Sequence, residues 1–477
     1  MTICIIAEGC YPYVVGGVSS WIDSMIRSFP QYDFCIVAIL ADRDKRGKFA
    51  YDLPENVISV SEVYLNDEDF APVTKIHKNR TQLQGSERYA LNYMLSGDRD
   101  RWDDVFDMFA KKPSVNDLLM GPDFLDAVKR VYDRGHTDAV FTDFLWTMRS
   151  MYLPLFFTLE TDIPKADLYH CAATGYSGVI GAMAKHFYHK PLLISEHGIY
   201  TREREEELIR AQWVKGEYKD IWIAQFRKMS TLAYNRADLV TSLYGHARQL
   251  QLELGCPKEK TLVTPNGIDP SRYQDIPGKP LEDEGYTVFG AIIRVAPIKD
   301  VITLIRAFSI AKKKASDIKL YICGPWEEEE EYAKSIFDMV DNMGLGDVVF
   351  TGRIRTPDYI GRMDCLVLTS ISEGQPLTIL EGYAAKKPSI ATDVGNCRGL
   401  IEGESDSFGK AGIVTHIMHA EETAQAMLEM RNHPILRRQM GENGYKRLMN
   451  GYKLTDMQQT YADIYSNFLE ESDERRQ

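Results

Sequence analysis

Short runs of apolar and β-branched residues alternate along the chain with amphipathic stretches. In the first half the runs predict strands at 2–7, 34–39, 167–172, 191–196, 238–243 and 261–264. In the second half they fall at 287–293, 318–323, 347–351, 365–369 and 388–392. Helical patterns lie between most of them, for example at 18–28 and at 300–313, where Val301, Leu304, Ile305 and Phe308 share one face. This alternation predicts an α/β protein with parallel sheets covered by helices. There are too many strands for one such sheet, so two Rossmann-like domains are expected. The stretch 267–286 is rich in Pro, Gly and acids and reads as a linker. It divides the chain into a first domain at 1–270, a second at 271–451 and a closing segment at 452–477. The region 41–166 is polar with few clear strands and reads as a mainly helical insertion into the first domain. The acidic runs at 202–207 and 327–331 read as solvated helix faces.

Length and composition narrow the picture. The 477 residues carry 44% apolar and 26% charged residues, which excludes a disordered or collagen-like chain. The net charge of −13 argues against a nucleic-acid partner, which needs a basic face. Eight cysteines lack CxxC spacing and several lie in strand-like runs, so they read as reduced core thiols of a cytoplasmic protein. The opening MTICIIAEGC has no basic n-region and reads as no signal peptide. The most apolar stretch, 141–159, is interrupted by Asp143, Arg149 and Pro154, and is expected to be a buried or interface helix.

Four constellations could carry chemistry. In Ser370-Ile-Ser-Glu373-Gly-Gln375-Pro376-Leu-Thr-Ile-Leu-Glu381 a strand runs into a loop and a helix starts near Pro376. A helix N-terminus can hold a phosphate, and Glu373 and Glu381 flank it with carboxylates suited to sugar hydroxyls. The spacing alone also fits a loop acid followed by a solvated helix acid. Arg294 and Lys299 follow the strand at 287–293, with Asp300 placed to cap the next helix. Two cations at a strand's C-terminal end can neutralise a diphosphate without a metal; they also fit plain surface charges. Gly16 and Gly17 follow the first strand and either let backbone approach a ligand or make a tight turn. His197, in Ser195-Glu196-His197-Gly198, faces a ligand or is structural. Asn266-Gly267 reads as a turn. Walker A, HExxH, GxSxG and GxGxxG patterns are missing.

Taken together and in this order, these motifs resemble the retaining glycosyltransferases of family 4, which have the GT-B fold. The segments EGCYPYVVGGVSSW, SEHGIYTRER, RVAPIKD, TSISEGQPLTILEG and ATDVGNCRGLI are similar to the PelF-like branch that serves Pel exopolysaccharide synthesis. The resemblance spans about residues 1–405 and is least specific over 41–166. It implies two Rossmann-like domains facing a central cleft and a tail helix crossing back to the first domain. It also implies a UDP-sugar donor, most of all UDP-glucose, a polysaccharide acceptor and no metal. Arg294 and Lys299 would bind the diphosphate, Glu381 the ribose and Glu373 the transferred sugar. The backbone at Gly374, Gln375, Pro376 and Leu377 would support sugar and phosphate. His197 would lie by sugar and acceptor, Gly16 and Gly17 would close on the phosphate, and Arg353 would lie near the uracil. Many family members carry an apolar residue where Gln375 stands and Gly where Asp300 stands. The pairs Asp42/Asp44 and Asp98/Asp100 match the metal-binding DxD of other glycosyltransferases, but lie away from strand ends and read as chance matches. Export of the polymer makes an inner-membrane synthase or export complex a candidate partner. Rival readings are a UDP-N-acetylhexosamine donor, a nucleotide-sugar epimerase and a noncatalytic nucleotide-sugar-binding subunit.

Overall fold

The computed structural model describes residues 1–66, 83–96, 101–211, 213–404 and 406–474. Asp98 and Asp100 lie outside them. The chain divides into two compact units, 1–263 with 461–477, and 264–460.

The first unit holds a seven-stranded parallel sheet: β1 Thr2–Glu8, β2 Asp33–Leu40, β3 Val57–Tyr64, β4 Leu168–Cys171, β5 Leu192–Glu196, β6 Leu239–Ser242 and β7 Thr261–Val263. Their order is β3-β2-β1-β4-β5-β6-β7. The pattern reading missed β3. Its residues Ser59, Ser61 and Glu62 give an edge strand that is only half apolar. Between β3 and β4 the described chain is helical, and the helix Phe141–Leu159 buries Phe144, Met148, Leu155 and Phe156. No helix among the described residues is long and apolar enough to cross a membrane.

The second unit holds six parallel strands: β8 Thr287–Ile292, β9 Ile318–Cys323, β10 Val348–Gly352, β11 Cys365–Leu368, β12 Ser389–Thr392 and β13 Gly412–Thr415. Their order, β10-β9-β8-β11-β12-β13, reverses between β8 and β11. Open sheets of this kind bind ligands beyond the strand ends at that switch. The stretch read as a linker is in part packed structure. Its Tyr273 and Asp283 are buried, and Asp283 accepts from Lys319 Nζ at 2.7 Å and Tyr321 Oη at 3.0 Å. The eight cysteines are free thiols, seven of them buried.

The helix Leu454–Glu474 starts in the second unit and belongs to the first from Tyr461 onward. Its docking there is polar at the centre. His170 bonds Tyr465 Oη through Nδ1 and Ser195 Oγ through Nε2, both at 2.8 Å, and Ser195 also meets Tyr461 Oη at 2.9 Å. Burial, with nearby His197, pushes the His170 pKa down from 6.5 to about 3. Below pH 6.5, therefore, the unfolded ring takes a proton that the folded ring refuses. This costs about 1.4 kcal/mol per pH unit until the folded pKa is reached. His170→Asn should remove that slope. The stability advantage of the wild type at pH 7 should shrink steadily in denaturant titrations at pH 5.5 and pH 4. A constant gap would contradict a neutral buried ring.

Candidate donor site and family

The second unit's site is built where β8 and β11 end side by side. After β8 the chain makes a 3-10 turn, Pro297–Lys299. Asp300 follows in the left-handed region and caps the helix Val301–Lys312, accepting from the Thr303 amide at 3.2 Å. After β11 the chain loops to the helix Leu377–Ala384, whose N-cap is Pro376 and which has no side-chain cap. The two loops are tied together. Ile371 N donates to Ile298 O at 2.9 Å, and Thr369 Oγ1 donates to the carbonyls of Lys299 and Asp300 at 3.1 and 3.0 Å.

This scaffold sets the Lys299 ammonium 2.5 Å from Glu373 Oε1, which also accepts from Ser370 Oγ at 2.6 Å. Their side chains are 20% and 12% exposed, so both charges are held close to the protein yet remain open to a ligand. Arg294 follows β8 too, but reaches outward to Glu328 Oε2 at 2.6 Å. Glu381, one turn into the helix, accepts from Tyr273 Oη at 2.9 Å. Burial raises its pKa, while Tyr273, Arg272 and Thr356 oppose the rise. The uncapped helix end supplies free amides and a positive dipole beside these groups.

The Gln375 side chain is engaged within the second unit. It is buried and clamps the backbone of Asn266, accepting from its N–H at 2.8 Å and donating to its carbonyl at 3.3 Å. Its side chain therefore holds a turn, and only its backbone is left to face the helix N-terminus, the part of residue 375 that the resemblance assigns to the donor. Gln375→Ala should leave the half-buried Asn266 amide without its partner and cost about 0.5–1.5 kcal/mol, read as a lower urea midpoint; an unchanged midpoint would show that the clamp is not needed. Gly374 O accepts from Asn396 N at 2.8 Å, and Leu377 packs against the core. Arg353 is exposed just past β10, two strands from β8.

The reading of the sequence missed Tyr273 and Gly395. Gly395 has φ +52°, and a Cβ there would lie 2.1 Å from Glu373 O, so only glycine lets the loop after β12 support the Glu373 loop. Its signal was the Val-Gly-Asn turn in ATDVGNC, which follows a strand.

Three site candidates belong to the first unit. Gly16 and Gly17 are exposed at the start of the helix Gly17–Ser28, and a Cβ at either meets no atom within 4 Å. His197 follows β5 and packs edge-on to Trp21, with ring centroids 4.3 Å apart. Burial lowers its pKa from 6.5 to about 4, so the ring is neutral at pH 7, and its Nε2 has no hydrogen-bond partner. Among the described residues no group of three or more His, Cys, Asp or Glu side chains could hold a metal ion.

The model of a domain of unknown function (DUF3492) matches residues 1–259, and that of glycosyl transferases group 1 matches residues 273–447. An uncharacterized glycosyltransferase of Methanocaldococcus jannaschii is 28% identical over 58% of this chain and 69% of its own. The capsular polysaccharide biosynthesis glycosyltransferase CapM of Staphylococcus aureus is 26% identical over 44% of this chain. The putative glycosyltransferase EpsD of Bacillus subtilis is 27% identical over 40%. The chain spans about half the length of these last two, 54% and 47%. Among solved structures, Anabaena HepE in complex with UDP-glucose superposes with a TM-score of 0.61 at 15% identity, covering 98% of this chain and 100% of its own. Sucrose-phosphate synthase from Thermosynechococcus elongatus gives 0.60 at 14%, covering 98% of each chain. The family models and the two switched parallel sheets together lead to one conclusion: the chain belongs to the DUF3492 family and is a glycosyltransferase of two Rossmann-like domains of the GT-B type, the second carrying a glycosyl transferases group 1 domain at residues 273–447.

Proposed function

We propose that this glycosyltransferase takes a UDP-sugar, UDP-glucose first among them, and extends an exopolysaccharide of the Pel type with retention and without a metal. One observation carries this reading. Lys299 and Glu373 stand together at the sheet's switch point, beside an uncapped helix N-terminus. A diphosphate arriving there would take the ammonium from Glu373 and free the carboxylate for sugar hydroxyls. Glu381, held by Tyr273, would accept from the ribose hydroxyls.

The charges give the mechanism. Breaking the bond between the anomeric carbon and the phosphate oxygen leaves an oxocarbenium-like sugar and extra charge on UDP. Lys299, Arg294 swung from Glu328, and the helix dipole would stabilise that charge. The acceptor hydroxyl would attack the same face, and the leaving phosphate would take its proton. His197, neutral and with Nε2 unpartnered, would stand by sugar and acceptor.

Several relatives support the donor and product class. HepE has been solved with UDP and with UDP-glucose, and CapM is named for capsular polysaccharide biosynthesis. The Pel-type motifs of the sequence support the polymer. In this reading the enzyme works in the cytoplasm, with an inner-membrane synthase or export complex as partner. The test is UDP release from a panel of UDP-sugars, with and without EDTA. Release from UDP-glucose above the others, unchanged by EDTA, is expected. Release from a UDP-N-acetylhexosamine would change the sugar, and loss in EDTA restored by Mn²⁺ would overturn metal independence.

A further inference from the structure

The first unit contains three cavities that share walls in sequence. One of ≈410 Å³ opens over the C-terminal ends of β1, β2, β4 and β5, lined by Glu8, Gly9, Cys10, His197 and Gly198. It shares Glu8, Tyr200 and Arg204 with a second of ≈610 Å³, walled by Leu153, Pro154, Tyr176, Trp222 and Phe226. The second shares Ser150, Trp213 and Trp222 with a third of ≈250 Å³ that reaches Trp146. The two larger cavities fall in the usual range for organic ligands, about 300–1,000 Å³.

The lining is aromatic, with polar groups at one point. Where the first two cavities meet, Glu8 Oε1 accepts from Tyr200 Oη at 2.9 Å, and the Arg204 guanidinium lies 5.5 Å above the Tyr200 ring. Arg204 pairs with Glu207 at 2.7 Å through Nη1, but its buried Nε–H has no acceptor. A buried donor without a partner is costly and calls for a ligand oxygen. At the far end Trp213 stands edge-on to Trp222 and is 67% exposed, while Trp146 is 53% exposed. Exposed tryptophans in a row mark a binding surface. A pyranose has an apolar C–H face for such rings and hydroxyls for a carboxylate and a guanidinium. A lipid chain would leave Glu8 and Arg204 without a role.

We propose that this run of cavities is a glycan-binding track. The acceptor chain enters past Trp146 and Trp213, stacks on Trp222 and Tyr200, and gives hydroxyls to Glu8 and Arg204 on its way to His197. The proposal rests on the reading of the chain as a polysaccharide-extending enzyme and adds where the polymer lies.

The experiment uses the full-length protein and the W146A/W213A double variant, in which only exposed rings are removed. Malto-, cello- and chito-oligosaccharides of increasing length are titrated by calorimetry, with UDP binding as the control for folding. Wild-type affinity should rise with chain length for one series. The double variant should bind the long members about tenfold more weakly and the disaccharide and UDP as the wild type does. If the wild type favours long chains and the double variant does so equally, the track is wrong and the polysaccharide reading stands. Binding of no oligosaccharide would overturn the track, and with UDP-sugar turnover intact it would turn the acceptor reading away from a glycan. A dimer in sedimentation that the double variant abolishes would overturn the track in favour of an interface between copies.

Discussion

Lys299→Ala is expected to reduce transfer by about 10²–10³-fold in kcat, the usual loss when one preorganised charge partner of a transition state is removed. The ammonium is the less exposed cation of the proposed donor site, whereas Arg294 is turned to Glu328 and more exposed. The loop should survive the change. Thr369 holds the backbone carbonyls of residues 299 and 300, and Ser370 still donates to Glu373. The cost in stability should therefore stay near one lost charged hydrogen bond, about 1.5–3 kcal/mol. Lys299→Arg keeps the charge and should recover part of the rate. UDP release with saturating donor, beside a thermal melt, reads both quantities. Turnover near that of the wild type in a folded Lys299→Ala protein would remove Lys299 from the mechanism.

Arg447→Met should be the most destabilising single change considered for the second unit, about 3–5 kcal/mol, because it leaves a charge partner and three carbonyls behind. Arg447 is 2% exposed. Its guanidinium bonds Asp406 through Nε at 2.6 Å and Nη2 at 2.9 Å, and donates to the carbonyls of Leu400, Ile401 and Gly409. These bonds fasten the helix Pro434–Gly451 to the segment before β13. Arg447 also holds the Asp406 carboxyl below its ordinary range. A depressed carboxylate stabilises the fold above its unfolded pKa and loses that contribution as pH falls through the folded value. The gap between wild type and Arg447→Met should thus be full at pH 7 and narrow below about pH 4. Urea unfolding at pH 7 and pH 3 measures it. A loss under about 1 kcal/mol at pH 7 would show that water replaces the guanidinium.

Particular elements show what could be read in advance. The apolar runs announced β1, β2, β8 and β9 because each is buried on both faces and its residues need not alternate. β3 and β13 stayed silent, the first as a half-polar edge and the second as only Gly412–Thr415. Asp300 could be read as a helix cap because capping is local, and the structure has it so. Tyr273 could not be read as the partner of Glu381, since 108 residues separate them and only packing joins them. The side-chain role of Gln375 was hidden for the same reason. Its side chain bonds the backbone of Asn266, 109 residues away, and no local pattern shows that contact.

The sequence by itself determined the alternation of strand and helix, the two parallel sheets and the residue types of the candidate donor loops. Those are set by neighbours a few positions apart and by the side-chain period along each element. Only the tertiary structure decided which charge meets which carboxylate, which polar groups are used up in holding loops, and which aromatic rings join into one run of cavities. Those depend on distant segments brought within hydrogen-bonding distance, and a linear pattern carries no record of that distance.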